Sequence, residues 1–249
     1  MKIAIIGAGF YGSYLAYKFS NIRNVKVDLF EKNKEILTET AIKNQYRLHI
    51  GYHYPRSKET ILQTLDGYRN FLKEFKNFVY FPKDNYYLIH KKSLINFKEY
   101  EKIFKNLNFK FKNSKLDKLS KFVDINQIKG CLNTEEGVIL LDKLINHFRK
   151  TLLKKTNVIK NTKIININNI RGELSSKKNS FDGYDFIINS TYQNPNLGLK
   201  RKKFINKYEL TAMVKIKKPF ADQKGITIMD GPFCSIYPQD RKYSTISSV

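Results

Sequence analysis

Thiols are scarce in this chain. Cys131 and Cys234 are the only cysteines among 249 residues, and they lie far apart. There is no CxxC pair and no Cys/His ladder, which excludes a disulfide framework and a zinc module. Long apolar runs are missing too, since none approaches the roughly 18 residues needed to cross a bilayer. The apolar start, Met1 to Ile6, runs into a glycine pattern instead of a cleavage site, so it reads as a first strand. Gly/Ser-rich or Pro-rich linkers and internal repeats are also absent. A reducing, cytoplasmic setting is the default expectation for such a chain. Acidic residues are few: 22 Asp and Glu stand against 46 Lys and Arg, a formal net charge of +24.

That excess raises nucleic acid as a partner, but the composition argues against it. Lys supplies 38 of the cations and Arg only 8, and Lys, Asn and Ile make up 90 of the 249 residues. This is the imprint of an AT-rich coding sequence, which adds Lys everywhere. The lysines run from Lys2 to Lys242, densest over 98–121 and 200–218. Specific phosphate recognition favours Arg, whose planar fork grips two oxygens. Nucleic acid is therefore not the expected partner; a single basic face and a steep salt dependence would reinstate it. Apolar residues at 41%, with 14% aromatic, suffice for a real core in one large or two modest domains.

Periodicity orders the chain. Lys2–Ile6 reads as a strand, Tyr14–Phe19 as a helix and Val25–Phe30 as a second strand, a β-α-β unit. From Lys58, Ile61, Leu65, Tyr68, Leu72 and Phe75 step by four and three, as in an amphipathic helix. Asp84–His90 reads as a strand, Phe97 to Leu107 as a helix, and Leu140–Leu153 as a third long helix. Short strands are expected around Val158, at Lys163–Ile167 and at Asp185–Asn189. Beyond Phe204 the chain reads as antiparallel strands at Glu209–Ile216, Gly225–Met229, Phe233–Tyr237 and from Tyr243 on. An α/β domain interrupted by insertions accounts for this order. The expected division is 1–80 with 138–196 for the nucleotide domain, and 81–137 with 197–249 for a substrate or cap domain.

Gly7-Ala8-Gly9-Phe10-Tyr11-Gly12 fits GxGxxG, between a strand and a helix. Gly7 permits the tight turn, Gly9 lets the backbone approach a pyrophosphate, and Gly12 lets the helix pack close to the strand. Amides at the helix start then hold the diphosphate. Glu31, 19 residues beyond Gly12 and followed by Lys32, ends the second strand, where a carboxylate accepts from both ribose hydroxyls. An acid there disfavours a 2′-phosphate, so FAD or NAD fits better than NADP.

The stretch Asn44-Gln45-Tyr46-Arg47-Leu48-His49-Ile50-Gly51-Tyr52-His53-Tyr54-Pro55-Arg56-Ser57 holds two His, two Arg and three Tyr in fourteen residues. Here the chain resembles FAD-dependent oxidoreductases of the D-amino-acid oxidase (DAO) type, including glycine oxidase and 2-hydroxyglutarate oxidase. Those proteins carry an Asn-x-Gly-x-x-His-x-Gly-x-x-Tyr-like stretch near the flavin. Asn44, His49, Gly51 and Tyr54 fall on that spacing, and Tyr46 stands where Gly is usual. Thr134-Glu135-Glu136-Gly137-Val138-Ile139-Leu140 is similar to the family's entry into its middle helix. Asp185-Phe186-Ile187-Ile188-Asn189-Ser190-Thr191 resembles its strand and turn beneath the cofactor, with Tyr192 replacing the final Gly.

The resemblance implies a Rossmann-like FAD-binding domain of the GxGxxG type with an interleaved mixed-sheet substrate domain. It implies FAD as cofactor, contacted by Gly7, Gly9, Phe10, Tyr11, Gly12, Glu31, Lys32, Asn44, Arg47, Gly51, Ser190 and Thr191. The implied activity moves a hydride from a CH–NH or CH–OH carbon of a small amino or hydroxy acid to flavin. Arg47 or Arg56 would then fix a carboxylate, and His49 or His53 would take a proton. Tyr52, Tyr54 and Tyr237 are weaker candidates. Alternatives remain open at this point: a nucleotide-sugar substrate, an RNA-binding flavoprotein of the tRNA-modifying kind, or a cofactor module without catalysis. A metal at His49 and His53 is not expected, because Gly51 and Pro55 oppose a helix and no cluster completes a site.

In the resembling family, further strands and a helix returning to the nucleotide domain follow. Here Tyr243 to Val249 read as the middle of a strand on an open edge. The expectation is a C-terminally truncated form or one half of a split protein. It would bind the adenosine part of FAD better than it supports turnover, and would need a partner segment or self-association along that edge.

Overall fold

Four consecutive small or aliphatic residues with almost no exposure, Ile3 to Ile6, follow a half-buried Lys2 and form strand β1 (Lys2–Ile6) inside a sheet buried on both faces. In the computed structural model, which describes residues 1–208, 211–217 and 223–248, β1 leads into helix α1 (Phe10–Phe19) and strand β2 (Lys26–Phe30). The helix begins four residues earlier than expected, because Gly9 takes an extended N-cap conformation. There follow β3 (Arg47–Leu48), α2 (Lys58–Phe75), β4 (Val79–Tyr80), β5 (Asp84–His90), α3 (Phe97–Asn106), β6 (Phe111–Asn113), β7 (Ile128–Thr134) and β8 (Gly137–Ile139). Helix α4 (Leu141–Lys155) precedes β9 (Asn157–Ile159), β10 (Asn166–Asn168), β11 (Glu173–Ser175), β12 (Ser180–Phe181) and β13 (Phe186–Asn189). The last strands are β14 (Met213–Lys217), β15 (Lys224–Met229), β16 (Cys234–Pro238) and β17 (Tyr243–Ser248).

The chain divides into two compact units, 1–44 with 142–209 and 45–141 with 210–249. The first unit carries a parallel sheet in the order β13-β1-β2-β9 and an antiparallel meander β10-β11-β12. Ala4, Ile6, Phe30, Ile164, Leu174 and Tyr184 form its core beneath the sheet. On another side Phe10 meets Phe148 of α4 edge-on at 6.0 Å.

The second unit carries a seven-stranded mixed sheet, β14-β17-β16-β15-β5-β7-β6, and a small antiparallel sheet, β3-β8-β4. The large sheet takes strands from both ends of this unit's sequence: β15 lies parallel to β5, with Ile226 opposite Tyr86. Hence the second segment of the nucleotide unit interrupts it. The first boundary lies at residue 44, not 80, because β3, α2 and β4 belong here: Tyr52 and Ile61 share a core with Tyr87, Tyr100 and Phe104. Ser57 caps α2 by accepting from the Thr60 amide, and Asn96 caps α3 by accepting from the Glu99 amide.

Three sequence readings need correction. Residues Ile128–Thr134 form an interior strand, β7, that periodicity does not reveal, because Gly130 and Asn133 interrupt its apolar pattern. A Cβ at Gly130 would run into the Phe97 ring, so the glycine is there to admit that ring. The run from Gly225 is not wholly antiparallel, since β15 pairs with β5 in parallel. The strand from Tyr243 is not on an open edge. β17 lies between β14 and β16, with Ile246 opposite both Val214 and Ile236. The edges of this sheet are β14 and β6. Of the strand expected at Glu209–Ile216, Glu209 and Leu210 lie outside the described residues.

Candidate functional site

The glycine turn is fixed by close approach. Gly7 has φ +99°, and a Cβ there would lie 2.6 Å from the Ser190 carbonyl oxygen. A Cβ at Gly12 would overlap the carbonyl of Gly7. Gly9 differs: an added Cβ would meet nothing within 4 Å, so the space over the first turn of α1 is open. No side chain caps that turn from Gly9, and no acid lies within it. An uncapped helix start beside open space is an anion site in waiting.

Glu31 braces this loop from the next strand. It is buried, and its Oε2 accepts from the Ala8 amide at 2.9 Å while Oε1 accepts from the Asn33 amide at 2.9 Å. A carboxylate has about four lone-pair positions, so both oxygens keep one for a ribose hydroxyl. The open cradle at Gly9 and this oriented carboxylate fit the adenosine diphosphate part of FAD. Lys32 pairs with Glu39 at 3.7 Å, and Tyr11 is largely exposed. Asn44 donates to the Thr40 and Ala41 carbonyls. Thr191 spends its hydroxyl on Asn189 Oδ1 and the Asn194 carbonyl, within its own turn.

The two departures from the family pattern share one conformation. Tyr46 has φ 54° and Tyr192 φ 58°, the left-handed region that glycine occupies freely. The chain keeps both turns and accepts the strain.

In the second unit, β3 pairs with β8, Arg47 opposite Val138 and Leu48 opposite Gly137. That register sets a cluster around Glu136, whose carboxylate is fully buried. Its Oε1 accepts from the Ile50 amide at 2.9 Å and lies 3.6 Å from His49 Nδ1. Its Oε2 accepts from the Tyr87 hydroxyl at 2.7 Å and lies 3.6 Å from Arg47 Nη2. Burial alone would raise this carboxyl's pKa. The His49 and Arg47 charges and the Tyr87 hydrogen bond overcome it and hold the pKa down at about 2.

Arg47 is enclosed. Its Nη2 donates to Thr227 Oγ1 at 2.7 Å and to the Tyr87 hydroxyl at 3.2 Å, and its guanidinium lies 4.1 Å from the Tyr237 ring centroid. Arg56 is the opposite case. Its Nε donates to Asp230 Oδ2 at 2.5 Å, and 62% of the side chain stays exposed, leaving guanidinium surface for an incoming anion. The two imidazoles lie 5.4 Å apart, with Tyr54 beside both. Burial, then Arg47 and His49, lower the pKa of His53 to about 4, so it is neutral at pH 7. Gly51, with φ +135°, packs its backbone against Ile61.

Of the residues singled out in the sequence, the fold sets His49 and Arg47 against one acid that was not, Glu136, with His53 packed on His49. Glu136 stood in view only as part of a helix-entry motif. Asp230, Tyr87 and Thr227 gave no signal at all. A separate cavity of about 900 Å³, lined by Phe81, Phe111, Lys83, Lys105 and Lys112 among others, includes none of the nominated residues. Among the described residues, no helix is long and apolar enough to cross a membrane.

The FAD-dependent monooxygenase FPY4 of Fusarium mangiferae is 26% identical over 240 residues, 96% of this chain and 61% of that protein. The chain thus spans about three-fifths of that curated relative. Glycine oxidase from Geobacillus kaustophilus superposes with a TM-score of 0.73 at 12% identity, over 99% of this chain and 70% of that one. L-alpha-glycerophosphate oxidase from Mycoplasma pneumoniae, solved with FAD bound, gives 0.69 at 17% identity, over 100% and 71%. The model of the FAD dependent oxidoreductase (DAO) family matches residues 2–217, and the chain belongs to that family.

Proposed function

We propose that the first unit binds FAD, and that the chain serves a flavin-dependent oxidation at a CH–NH or CH–OH carbon of a small acid. The observation that carries this reading is the buried Glu31 carboxylate, held by the Ala8 amide beside the open space at Gly9. Gly9 and the start of α1 would receive the diphosphate, and Glu31 the adenosine ribose. When bound, FAD supplies the acceptor for the hydride.

The chain's own residues supply the rest. Arg56, steadied at Nε by Asp230, offers its remaining N–H groups to a substrate carboxylate. A proton leaving the substrate's nitrogen or oxygen needs a neutral imidazole, and His49 and His53 are both present. Similarity to amino-acid oxidases supports the substrate class, as does the exposed Arg56.

The test is a titration of FAD into the purified chain, followed by flavin absorbance and fluorescence. Saturable binding is expected, with Gly9→Leu abolishing it by filling the cradle. Glu31→Ala should weaken it by roughly 1–3 kcal/mol, the worth of hydrogen bonds to a charged group. Tight NAD binding without FAD binding would refute the reading.

A further inference from the structure

We propose that Glu136 is a positioning residue that fixes His49 as the Nδ1–H tautomer and leaves Nε2 as the lone pair that accepts a proton. The role of Nε2 rests on the function proposed above; the tautomer does not.

The argument starts from one buried atom. His49 Nδ1 is shut off from solvent and makes no hydrogen bond of ordinary length. Glu136 Oε1 faces it at 3.6 Å. A lone pair on Nδ1 would point at an anion and be repelled, whereas an N–H there is attracted. Side chains elsewhere on Glu136 do not reverse this. Arg47 approaches Oε2, the other oxygen, and Tyr87 also donates to Oε2. The Ile50 amide donates to Oε1, so the backbone next to His49 ties the carboxylate to that side of the ring. His53 and Tyr54 pack on the imidazole at 5.4 and 6.0 Å between centroids and limit its rotation. A quarter of the His49 side chain is exposed although Nδ1 is buried, so the accessible part of the ring lies away from Nδ1.

The charged and titratable neighbours also separate the two histidines. His53 lies toward Arg47 and His49, and burial and those charges disfavour its cation. His49 lies against the carboxylate. A proton passing from a substrate O–H or N–H to His49 Nε2 gives an imidazolium with N–H on both nitrogens. Its charge then rests beside Glu136, and no proton need move to the carboxylate.

The experiment uses the full 249-residue chain, labelled with ¹⁵N and ¹³C, without flavin. Long-range ¹H–¹⁵N spectra are recorded at about pH 8.5, above the usual imidazole range, and the His49 ring is assigned with His49→Asn. The expected result is a protonated Nδ1 and an unprotonated Nε2. The reverse overturns the proposal. In Glu136→Gln, the ratio of the Nδ1–H to the Nε2–H tautomer should fall on the order of tenfold, since the full charge is gone; an unchanged ratio overturns the role of Glu136. Should that variant not fold, the wild-type carboxylate decides. Its ¹³Cδ resonance should shift with the same midpoint as the His49 ring, and a ¹³Cδ that ignores the imidazole overturns the proposal. If the chain fails to bind FAD, the proposed oxidation falls and the tautomer result stands.

Discussion

Truncating Glu136 to alanine should be among the most destabilising single changes in this chain, and the structure gives the size in two ways. The first is linkage. The carboxyl's pKa goes from an ordinary 4.5 to about 2, against the pull of burial and through the His49 and Arg47 charges and the Tyr87 hydroxyl. At roughly 1.4 kcal/mol per pH unit, that is about 3 kcal/mol. Because the folded-state pKa is depressed, this stability is fully present above pH 4.5 and is lost as pH falls through about 2. The second is the cost of orphaned partners. Alanine leaves the Arg47 guanidinium buried without its counter-charge, and leaves the Ile50 amide and Tyr87 hydroxyl without an acceptor. Breaking a buried pair from one side costs about 3–5 kcal/mol. The estimates agree at about 3–4 kcal/mol. Urea unfolding followed by circular dichroism at pH 7 should show the midpoint falling by roughly 1 M, for a slope of about 3 kcal/mol per M. A loss under about 1 kcal/mol would mean that the carboxylate is not enclosed as described, and the account of the cluster would fail.

Other perturbations have defined outcomes. His53 has its pKa lowered to about 4 chiefly by burial, so the unfolded chain binds the extra proton between pH 6.5 and 4, and wild-type stability should fall over that window by up to about 3 kcal/mol. His53→Asn should flatten that part of the stability–pH curve, and an unaltered curve would refute the burial argument. Tyr192→Gly should stabilise the first unit by about 0.5–1 kcal/mol, the left-handed strain of about 1–2 kcal/mol less the entropy that glycine loses; thermal unfolding reads it, and a loss of stability would contradict it. Gly130→Ala should cost about 1–3 kcal/mol by displacing Phe97, as overpacking does; a neutral effect in urea titrations would show that the ring moves freely.

The parts of this protein that can be read from its sequence are those where local geometry is dictated by nearby residues. Gly7 and Gly12 sit where any Cβ would collide with a neighbouring carbonyl, and Glu31 ends a strand that runs beside β1, so motif and structure coincide over residues 1–31. α2 was legible for a similar reason: its apolar stripe, Ile61 to Phe75, lies within one stretch of chain. β7 was not, since what makes Gly130 tolerable in a strand is Phe97, a residue of another element. The neighbours of β17 were hidden as well, because β14 pairs with it from about 30 residues earlier in the chain. Tyr46 and Tyr192 were visible as departures from a glycine pattern. That both turns survive with φ near +55° is a property of the folded backbone.

The candidate substrate site shows most sharply where local reading stops. Within ten residues the chain offers two arginines and two histidines, and nothing local assigns their roles. Arg47 is enclosed because Thr227 and Tyr237, from much later in the chain, close around it, while Arg56 meets Asp230 and keeps most of its surface. His49 faces a carboxylate because the β3–β8 register places Gly137 opposite Leu48 and so carries Glu136 to the Ile50 amide. His53, four residues on, has no such acid in hydrogen-bond reach of its Nδ1 among the described residues and is held neutral chiefly by burial. Like side chains thus acquire unlike chemistry from partners some 90 to 190 residues away, Glu136 and Thr227 to Tyr237 against a loop at 47–56. A single antiparallel pairing of two residues with two residues therefore decides which imidazole sits against a carboxylate.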